Sequence, residues 1–437
     1  MRVNKLRKIC IYTLAIFLIF SSIVVFDYSN NEKIEKQLKI NKNNTKPLDQ
    51  EGQNYRLVTS ADNVQVPVPK GYVASNITGE NYVIPEYTYD NETKTKVHDG
   101  GFVIYQLTDS ELATDPNGTN VIINDTNKDT AQSTRNQYIW IPVSNIEDIT
   151  RTKKQNNGIM QFGQGYTFSN TSITKETNTG TSYYREPRLV EQYDKTKYYL
   201  QRYSNIDKRE SYLNNQQEDF IEMIKSINKY KGFYIGRYET GDDYTHSSSK
   251  KCFTNPRVVR YNSNLGYVTW YDSYKNLKRL SGKTGEYVET GMIYDTMWNY
   301  TLKWLNETDT RSYEEIRTDS GTWGNYYNNS FKYKTSVNGT ESTKNANSPK
   351  MTSTGGITEI TYNGETYSDS PTSSNNIFDI ASNVWEWTRS RYSADGRRVR
   401  GGNYYNGSTT YPAYSISSNY PYDSNGNYGV RSMLLIR

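Results

Sequence analysis

The chain has 437 residues, enough for one large domain or for two to three smaller ones. Hydrophobic residues make up 34% and charged residues 23% of it, and 42 tyrosines supply much of the apolar surface that aliphatic side chains do not. The formal net charge of +5 falls to near +1 (5 − 4) without the four cationic residues of positions 1–8, so charge gives no reason to expect nucleic-acid binding.

The N-terminus predicts a membrane anchor. A basic stub at 1–8 precedes the uncharged stretch 9–26, ICIYTLAIFLIFSSIVVF, which as a helix would span roughly 27 Å. A cleaved signal peptide is the alternative, but this stretch exceeds the usual apolar run of roughly 7 to 15 residues and no small-x-small site follows it. Because positive charge stays inside, we predict a single-pass protein of the cell membrane with an extracellular C-terminal domain.

Cysteine and histidine are scarce: the chain has only Cys10, Cys252, His98 and His246. If Cys10 lies in the membrane with the rest of 9–26, the two cysteines cannot pair, so the exported part depends on its core for stability. A Cys252 nucleophile with His246 as its base is disfavoured, because the stretch around them is rich in Lys and Ser and offers no group to orient the base.

Residues 27–60 are rich in Lys, Asn, Glu and Gln and predict a solvated spacer, followed by one domain at 61–437. Short strands are predicted in VQVPVPKGYV, GFVIYQL and NQYIWIPV, which end at or before Val143 and are separated by turn residues. Residues 150–210 are polar, show no clear period and are predicted as loop.

Apolar residues spaced by three and four predict three helices, and GFYIGRYE from Gly232 predicts a strand after the first of them. The second helix begins at a cap formed by Thr269 and Asp272, and the third runs over about 293–305. We interpret the aromatic residues in these helices as core. The apolar positions are Phe220, Met223, Ile224 and Ile227, then Tyr274, Leu277 and Leu280, then Tyr294, Met297, Trp298, Leu302 and Leu305.

Residues 335–374 are an insert rich in Ser, Thr, Asn and Gly. Within it, Asn363-Gly364 lies between two alternating runs in ITEITYNGETY and predicts a type I′ hairpin. We expect this hairpin to protrude from an otherwise mobile loop.

The stretch 375–388, NNIFDIASNVWEWT, organises the C-terminal half. Trp385 and Trp387 flank Glu386, so an extended segment places both rings on one face and the carboxylate on the other. Asp379 precedes this carboxylate by seven residues with no Pro or Gly between them. The pattern predicts an aromatic floor with an acid beside it.

Three blocks in this order, DIASNVWEWT, RGGNYY from Arg400 and GVR from Gly429, resemble the C-terminal signature of the formylglycine-generating enzyme family, also called the sulfatase-modifying factor family. The resemblance covers roughly 130–437 and implies an α+β domain with a C-type lectin-like fold. GFYIGRYE resembles a strand of the same family and places Glu239, which we interpret as a structural carboxylate.

The family's oxidase activity uses a copper ion held by two cysteine thiolates. The matching positions fall near Asn406 and Tyr411, and no cysteine follows Cys252. Iron-dependent relatives need two or three histidines. We therefore expect neither copper nor iron, and an enzyme only as the alternative of a divergent oxidoreductase with unrecognised ligands.

The family also binds structural calcium, and the resemblance implies four ligands here. They are a side-chain oxygen of Asp379, the main-chain carbonyls of Ser382 and Val384, and the carboxylate of Glu386. Hard oxygen donors suit calcium, although Ser382 stands where the family usually has glycine, which strains the site if that position needs a positive φ. The alternative is that Asp379 and Glu386 only cap turns.

In the family the segment after RGG lines the substrate groove. Here that segment is almost entirely Asn, Tyr, Ser and Thr, a composition that suits binding. We therefore predict a surface-anchored, non-catalytic ligand-binding or adhesion protein whose partner is an extracellular protein or glycan; the alternatives are a sugar-binding module or a variable protein of a diversity-generating retroelement. The predicted ligand-binding residues are Asn403, Tyr404, Tyr405, Asn406, Tyr411, Tyr414, Tyr420 and Tyr422.

Overall fold

The computed structural model describes residues 54–83, 101–143, 219–242 and 255–437, apart from 221, 264 and 393–395. It also describes residues 146 and 149 and the backbone of a hairpin at 166–168 and 173–175. The predicted anchor, most of the spacer and most of 150–210 lie outside the described residues, as do both cysteines and both histidines. In the part that is described, no helix has both the length and the apolar character that a membrane crossing requires.

Strands and short helices alternate along the chain, which confirms the α+β class. The helices are α1 (Asp109–Thr114), α2 (Lys128–Thr134), α3 (219–230), α4 (Trp270–Asn276), α5 (Asp295–Glu307) and α6 (Tyr313–Arg317), with a 3-10 segment at Leu277–Glu286. The strands are β1 (Tyr55–Thr59), β2 (Gln65–Pro69), β3 (Tyr72–Ala74), β4 (Val103–Gln106), β5 (Gln137–Pro142), β6 (Tyr166–Phe168), β7 (Ile173–Lys175), β8 (Gly232–Gly236), β9 (Gly241–Asp242), β10 (Pro256–Arg257), β11 (Val288–Met292), β12 (Ser330–Tyr333), β13 (Ser342–Lys344), β14 (Ile357–Tyr362), β15 (Glu365–Tyr367), β16 (Ser373–Ser374), β17 (Ile377–Phe378), β18 (Trp385–Arg391), β19 (Arg397–Arg400), β20 (Ile416–Asn419), β21 (Tyr428–Val430) and β22 (Ser432–Ile436).

A six-stranded antiparallel sheet in the order β11-β22-β8-β5-β4-β3 divides the core in two. Alternate residues of β5 point to opposite faces, so Ile139 and Ile141 join one apolar cluster while Tyr138 and Trp140 join the other. Helices α3 and α5 cover the first face, and helix α4 with both tryptophans of β18 covers the second. Burial on both faces explains why these strands are apolar at nearly every position.

The predicted helices are confirmed, with small shifts of their ends. The four apolar residues of α3 are buried, and α3 ends where Lys231 takes a φ of 60°. The hydroxyl of Thr269 accepts a hydrogen bond from the Asp272 N–H at 3.1 Å and caps α4. Helix α5 begins two residues later than predicted, after Tyr294.

The domain begins earlier than the predicted boundary at 61. Strand β1 lies inside the predicted spacer and pairs with β2, and the Tyr55 ring packs edge-on against Tyr230 at 5.1 Å. The polar composition of this stretch did not predict a strand. The strand is fixed by two buried aromatic rings and by its hydrogen bonds to β2, and it has no apolar run.

The predicted hairpin of the insert is confirmed by β14 and β15. Asn363 and Gly364 have φ of 52° and 85°, as a type I′ turn requires. The stretch around the hairpin differs from the predicted loop, since β12 to β15 form a four-stranded sheet and Lys344 of β13 is buried. Contacts to backbone carbonyls order this polar stretch, and sequence periodicity does not report such contacts.

A second four-stranded sheet, in the order β20-β19-β18-β21, carries the stretch that the sequence singled out. Strand β18 pairs in parallel with β21, and Glu386 lies opposite Gly429. Only Arg431 separates β21 from β22 of the central sheet, so the two sheets meet at this residue.

Removal of the Glu111 charge tests the first helix. Two Arg135 nitrogens donate to the Glu111 carboxylate at 2.7 and 2.8 Å, and these bonds lower its pKa from 4.5 to about 2. We expect Glu111→Gln to lower the free energy of unfolding by about 1 to 2 kcal/mol at pH 7. Because the folded pKa is below the unfolded one, this contribution is present above pH 4.5 and is lost as pH falls toward 2.

Urea unfolding of both proteins at several pH values measures this difference. The two stability curves should converge below pH 4.5, and a difference that stays constant down to the acid limit of folding would contradict the assignment.

Candidate functional site

A buried ion pair between Glu386 and Arg431 lies at the centre of the site. Arg431 Nε is 3.1 and 3.0 Å from the two carboxylate oxygens, and its Nη2 is 2.6 Å from Oε1. The same guanidinium donates to the carbonyls of Gly236 at 3.0 Å and Phe378 at 2.9 Å. One side chain therefore joins β18, β22, β8 and β17.

Two further buried carboxylates, Glu239 and Asp379, lie near this pair. Glu239 accepts hydrogen bonds from the Asn383 amide at 2.5 Å and from the Val384 N–H at 3.1 Å. Asp379 Oδ2 accepts from the Gly355 N–H at 2.7 Å. Glu239 is a structural carboxylate, as predicted, and it holds the segment between the two predicted calcium carboxylates.

The carboxylates shift one another's protonation. Burial raises the pKa of Glu386 to about 7, although Arg431 acts in the opposite direction. Burial raises the pKa of Glu239 well above its usual value, and the charges of Asp379 and Glu386 add to this effect. Burial also raises the pKa of Asp379. The region therefore carries more buried carboxylate than its guanidinium groups neutralise.

The segment from Asp379 to Glu386 makes a turn of left-handed residues. Asp379, Ser382 and Asn383 have φ of 58°, 70° and 61°. The Ser382 hydroxyl donates to the Asn325 carbonyl, and its N–H donates to the Gly401 carbonyl at 2.7 Å. This position does require a positive φ, and these two hydrogen bonds hold a serine where the family usually has glycine.

The predicted calcium ligands have one competitor. Both oxygens of Glu386 accept from Arg431, so a calcium ion would share this carboxylate with a guanidinium group. Across the described residues, no three Asp, Glu, His or Cys side chains converge in a way that could hold a metal ion. Calcium here would therefore depend on Asp379 and on the main-chain carbonyls of Ser382 and Val384.

Tyrosines of the C-terminal segments contact the aromatic floor or one another in pairs. Tyr411 meets the Trp385 ring edge-on at 5.3 Å, and Tyr428 stacks on Trp387 at 5.2 Å. Tyr405 is 54% exposed and lies 4.4 Å from the neighbouring Tyr404 ring. We call this group of rings the tyrosine face; its members are Tyr404, Tyr405, Tyr411, Tyr420, Tyr422 and Tyr428.

Three of the predicted ligand-binding residues make contacts within the domain. Asn403 is buried, and its side chain accepts from the Tyr405 N–H at 2.8 Å. Asn406 contributes its carbonyl to a backbone hydrogen bond with Tyr327. The Tyr414 ring lies 4.5 Å from the Arg317 guanidinium and packs against the first core cluster. Sequence proximity to the groove did not show which way these side chains point.

Lys344 of the insert supports the segment under the tyrosine face. Its ammonium donates to the carbonyls of Tyr326, Tyr327 and Asn329 at 2.7, 3.1 and 2.6 Å. Tyr327 in turn binds the Asn406 carbonyl at 2.9 Å. Burial lowers the pKa of Lys344 to about 8, so the side chain is still protonated at neutral pH. An insert predicted as loop thus supports the candidate site.

Residues 295–435 match the family model described as a sulfatase-modifying factor enzyme 1-like domain. This part of the chain is a sulfatase-modifying factor enzyme 1-like domain. It contains all three blocks that carried the resemblance, together with the tyrosine face and the Glu386–Arg431 pair. No curated protein matches the chain.

Solved structures with similarity to the chain include variable protein 1 of Treponema denticola, at 13% identity and a TM-score of 0.30, covering 46% of this chain and 84% of that one. PvdO from Pseudomonas aeruginosa has 15% identity and a TM-score of 0.28, covering 47% of this chain and 81% of that one. CarF has 14% identity and a TM-score of 0.26, covering 47% and 87%.

The sulfatase-modifying factor domain of this chain has no thiol where the family's copper ligands are expected. The resemblance places those ligands near Asn406 and Tyr411, and no cysteine follows Cys252. Tyr411 is instead an aromatic partner of Trp385. Amide and phenol groups do not select Cu(I), which needs soft sulfur donors.

Sequence reasoning missed the role of Arg431 and the contributions of Tyr267 and Tyr428. Arg431 had a signal, since a lone arginine before the apolar run SMLLI implies a buried partner. Tyr267 has a φ of 62° and its N–H donates to the Asn425 carbonyl, a contact between distant segments that no local pattern shows.

Removal of the Arg431 guanidinium tests the central ion pair. Arg431→Met leaves Glu386 buried without its partner and removes the donors to two carbonyls. We expect the free energy of unfolding to fall by about 3 to 5 kcal/mol, as measured by urea denaturation. As a control, Lys225→Gln removes an exposed pair with Glu222 and should cost less than about 1 kcal/mol. Equal small losses in the two variants would contradict the central role of Arg431.

Proposed function

We propose that this protein is a surface-anchored, non-catalytic ligand-binding or adhesion protein built on a sulfatase-modifying factor scaffold. The observation that carries the proposal is that no cysteine follows Cys252, while the resemblance places the family's copper ligands near Asn406 and Tyr411, in a segment rich in tyrosine. Anchoring rests on the apolar segment 9–26, with the C-terminal domain on the extracellular side.

The tyrosine face has the chemistry of a binding surface. Tyr405 and Tyr420 are 54% and 43% exposed, whereas the tryptophans that contact Tyr411 and Tyr428 are buried. Tyrosine brings a large contact area at low cost in conformational entropy, and its hydroxyl can donate and accept hydrogen bonds. A rigid floor beneath exposed rings reduces the ordering that binding requires.

The partner we propose is an extracellular glycan or protein. Flat phenol rings stack on the apolar faces of sugars, and the C-type lectin-like fold that the family implies is compatible with either partner. The Tyr420 and Tyr422 rings are stacked, with their centroids 5.5 Å apart and an angle of 2° between their planes, so the two rings face the same way. Nucleic acid is disfavoured by the near-neutral charge of the exported part.

Truncation of two exposed rings tests the tyrosine face. We expect the variant Tyr405→Ala/Tyr420→Ala to lose at least tenfold in binding to the oligosaccharides that the unmodified protein retains on a glycan array. Its melting temperature should change little, because both side chains are exposed. Tyr313→Ala removes an exposed tyrosine from α6 and serves as the matched control. An equal loss in the control variant would place binding elsewhere.

We also propose a structural calcium ion in the Asp379–Glu386 segment, held by Asp379, the carbonyls of Ser382 and Val384, and Glu386 in competition with Arg431. The support is the excess of buried carboxylate in this region and the left-handed turn that displays main-chain oxygens. Copper and iron are not proposed.

Metal content tests this assignment. Mass spectrometry on the purified full-length protein should find about one calcium per chain, and a chelator should lower the melting temperature. Asp379→Asn should remove both the bound calcium and the effect of the chelator. Stoichiometric copper or iron would instead favour the divergent oxidoreductase, and the absence of any metal would remove the calcium assignment.

A variable protein of a diversity-generating retroelement is the second candidate. The observation in its favour is the separation of a buried framework, Glu386 with Arg431, from a surface segment at 403–428 composed largely of Asn, Tyr, Ser and Thr. A second, nearly identical DNA copy of this segment that differs at adenines would support it, and an identical segment across many isolates would exclude it.

A further inference from the structure

A second concave site lies between the 77–80 turn, the residue that follows β8 and the loop before β16. Its volume is about 670 Å³, inside the range of about 300 to 1,000 Å³ that is typical of small-molecule sites. Its described lining includes no member of the tyrosine face, so the two sites are separate.

A buried arginine lines the depth of this cavity. Arg237 is 3% exposed, and its Nη1 lies 2.7 Å from Glu80 Oε1 and 3.1 Å from both the Tyr105 hydroxyl and the Gln137 amide oxygen. Its Nε is buried, and no described residue accepts a hydrogen bond from it. A buried N–H without an acceptor is costly unless a ligand or water fills the role.

A second guanidinium in the cavity has no carboxylate partner. Arg260 Nη1 donates to the Gln132 amide oxygen at 3.0 Å, and its Nε donates to the Gly355 carbonyl at 3.1 Å. Among the described residues, no Asp or Glu lies within ion-pair distance of Arg260. Neutral acceptors fix the orientation of this half-buried cation, and the charge of the buried Asp379 carboxylate acts on it from beyond ion-pair distance.

The three acids that line the cavity are either paired or exposed at its rim. Both oxygens of Glu80 are occupied, because Ser75, Tyr105, Gln132 and Arg237 donate to them. The other two acids, Asp125 and Asp369, are exposed at the rim, where water screens them. Lys128 is also exposed at the rim and offsets one of them. Three arginines, Arg237, Arg260 and Arg311, therefore line the cavity, and Glu80 and Glu315 pair with the first and the third.

The floor and the rim are held in place before any ligand binds. The Phe378 ring stacks on Tyr238 at 5.0 Å and lies 5.5 Å from the Arg237 guanidinium and 6.0 Å from that of Arg260. Asn376 has a φ of 66°, and its amide donates to the Gly79 carbonyl at 2.8 Å across the cavity wall. Ordered guanidinium groups lose less entropy when they bind an anion.

We propose that this cavity binds a small molecule through an oxyanion, a carboxylate or a phosphate group, held by the Arg260 guanidinium with Arg237 beside it. The planar guanidinium fork matches the geometry of both groups, and charge-assisted hydrogen bonds are the strong ones. The volume exceeds what one oxyanion needs, so the remaining space accepts the uncharged part of the ligand.

Isothermal titration calorimetry on the full-length protein in detergent tests this site at constant ionic strength. The probes are inorganic phosphate and malonate, with malonamide as the uncharged control and chloride as the background anion. We expect at least one oxyanion to bind and malonamide not to bind. Tighter binding of phosphate points to a phosphorylated ligand, and tighter binding of malonate points to a carboxylic acid. Failure of both oxyanions to bind above chloride would overturn the proposal.

Variants locate the binding. Arg260→Gln should weaken the bound oxyanion at least tenfold, and Arg260→Lys should weaken it less. The matched control is Arg257→Gln, which alters an arginine of the same segment that lines a separate cavity of about 400 Å³. The control should retain affinity within about twofold, and a loss equal to that of Arg260→Gln would overturn the proposal.

A rim variant keeps the test valid if Arg260→Gln fails to fold. Lys128→Gln changes an exposed side chain, so its melting temperature should match that of the unmodified protein. It should weaken the oxyanion about two- to threefold and reduce the salt dependence of binding, because it removes a nearby positive charge. Unchanged affinity together with unchanged salt dependence would place the oxyanion outside this cavity.

Discussion

The buried pair of Arg431 and Glu386 is the interaction on which the C-terminal half depends. A guanidinium in the interior must satisfy all its donors, and Arg431 does so with one carboxylate and the carbonyls of Gly236 and Phe378. Those acceptors belong to different sheets and to the short β17 strand. The physical demand of one buried charge therefore fixes how the central sheet and the β18 sheet meet.

The same region contains residues with positive φ and buried carboxylates, and hydrogen bonds from nearby polar groups stabilise both. Ser382 keeps a φ of 70° because its hydroxyl and N–H bind carbonyls of two other segments. The next two residues, Asn383 and Val384, donate hydrogen bonds to the Glu239 carboxylate. Farther out, Lys344 binds three carbonyls below the tyrosine face. These contacts let a polar, loop-rich chain present a defined surface.

Two surfaces with different chemistry share this framework. The tyrosine face offers area and adaptable hydrogen bonds above buried tryptophans, whereas the arginine-lined cavity offers fixed positive charge. Phe378 connects them, because its carbonyl accepts from Arg431 while its ring is the floor beneath Arg237 and Arg260. The family model at 295–435 describes the scaffold of this part of the chain, in which the sequence has no cysteine.

The sequence by itself determined the α+β class, the family, the three central helices, the hairpin at Asn363 and the faces of the WEW strand. Each depends on local periodicity, turn chemistry or a motif of fixed spacing, which the order of residues contains. Only the tertiary structure decided that Glu386 is paired with Arg431, that Tyr414 packs half-buried against the first core cluster, that Lys344 is buried and that three arginines line one cavity. These features depend on contacts between segments that are distant in sequence, and a single sequence does not show which distant segments come into contact.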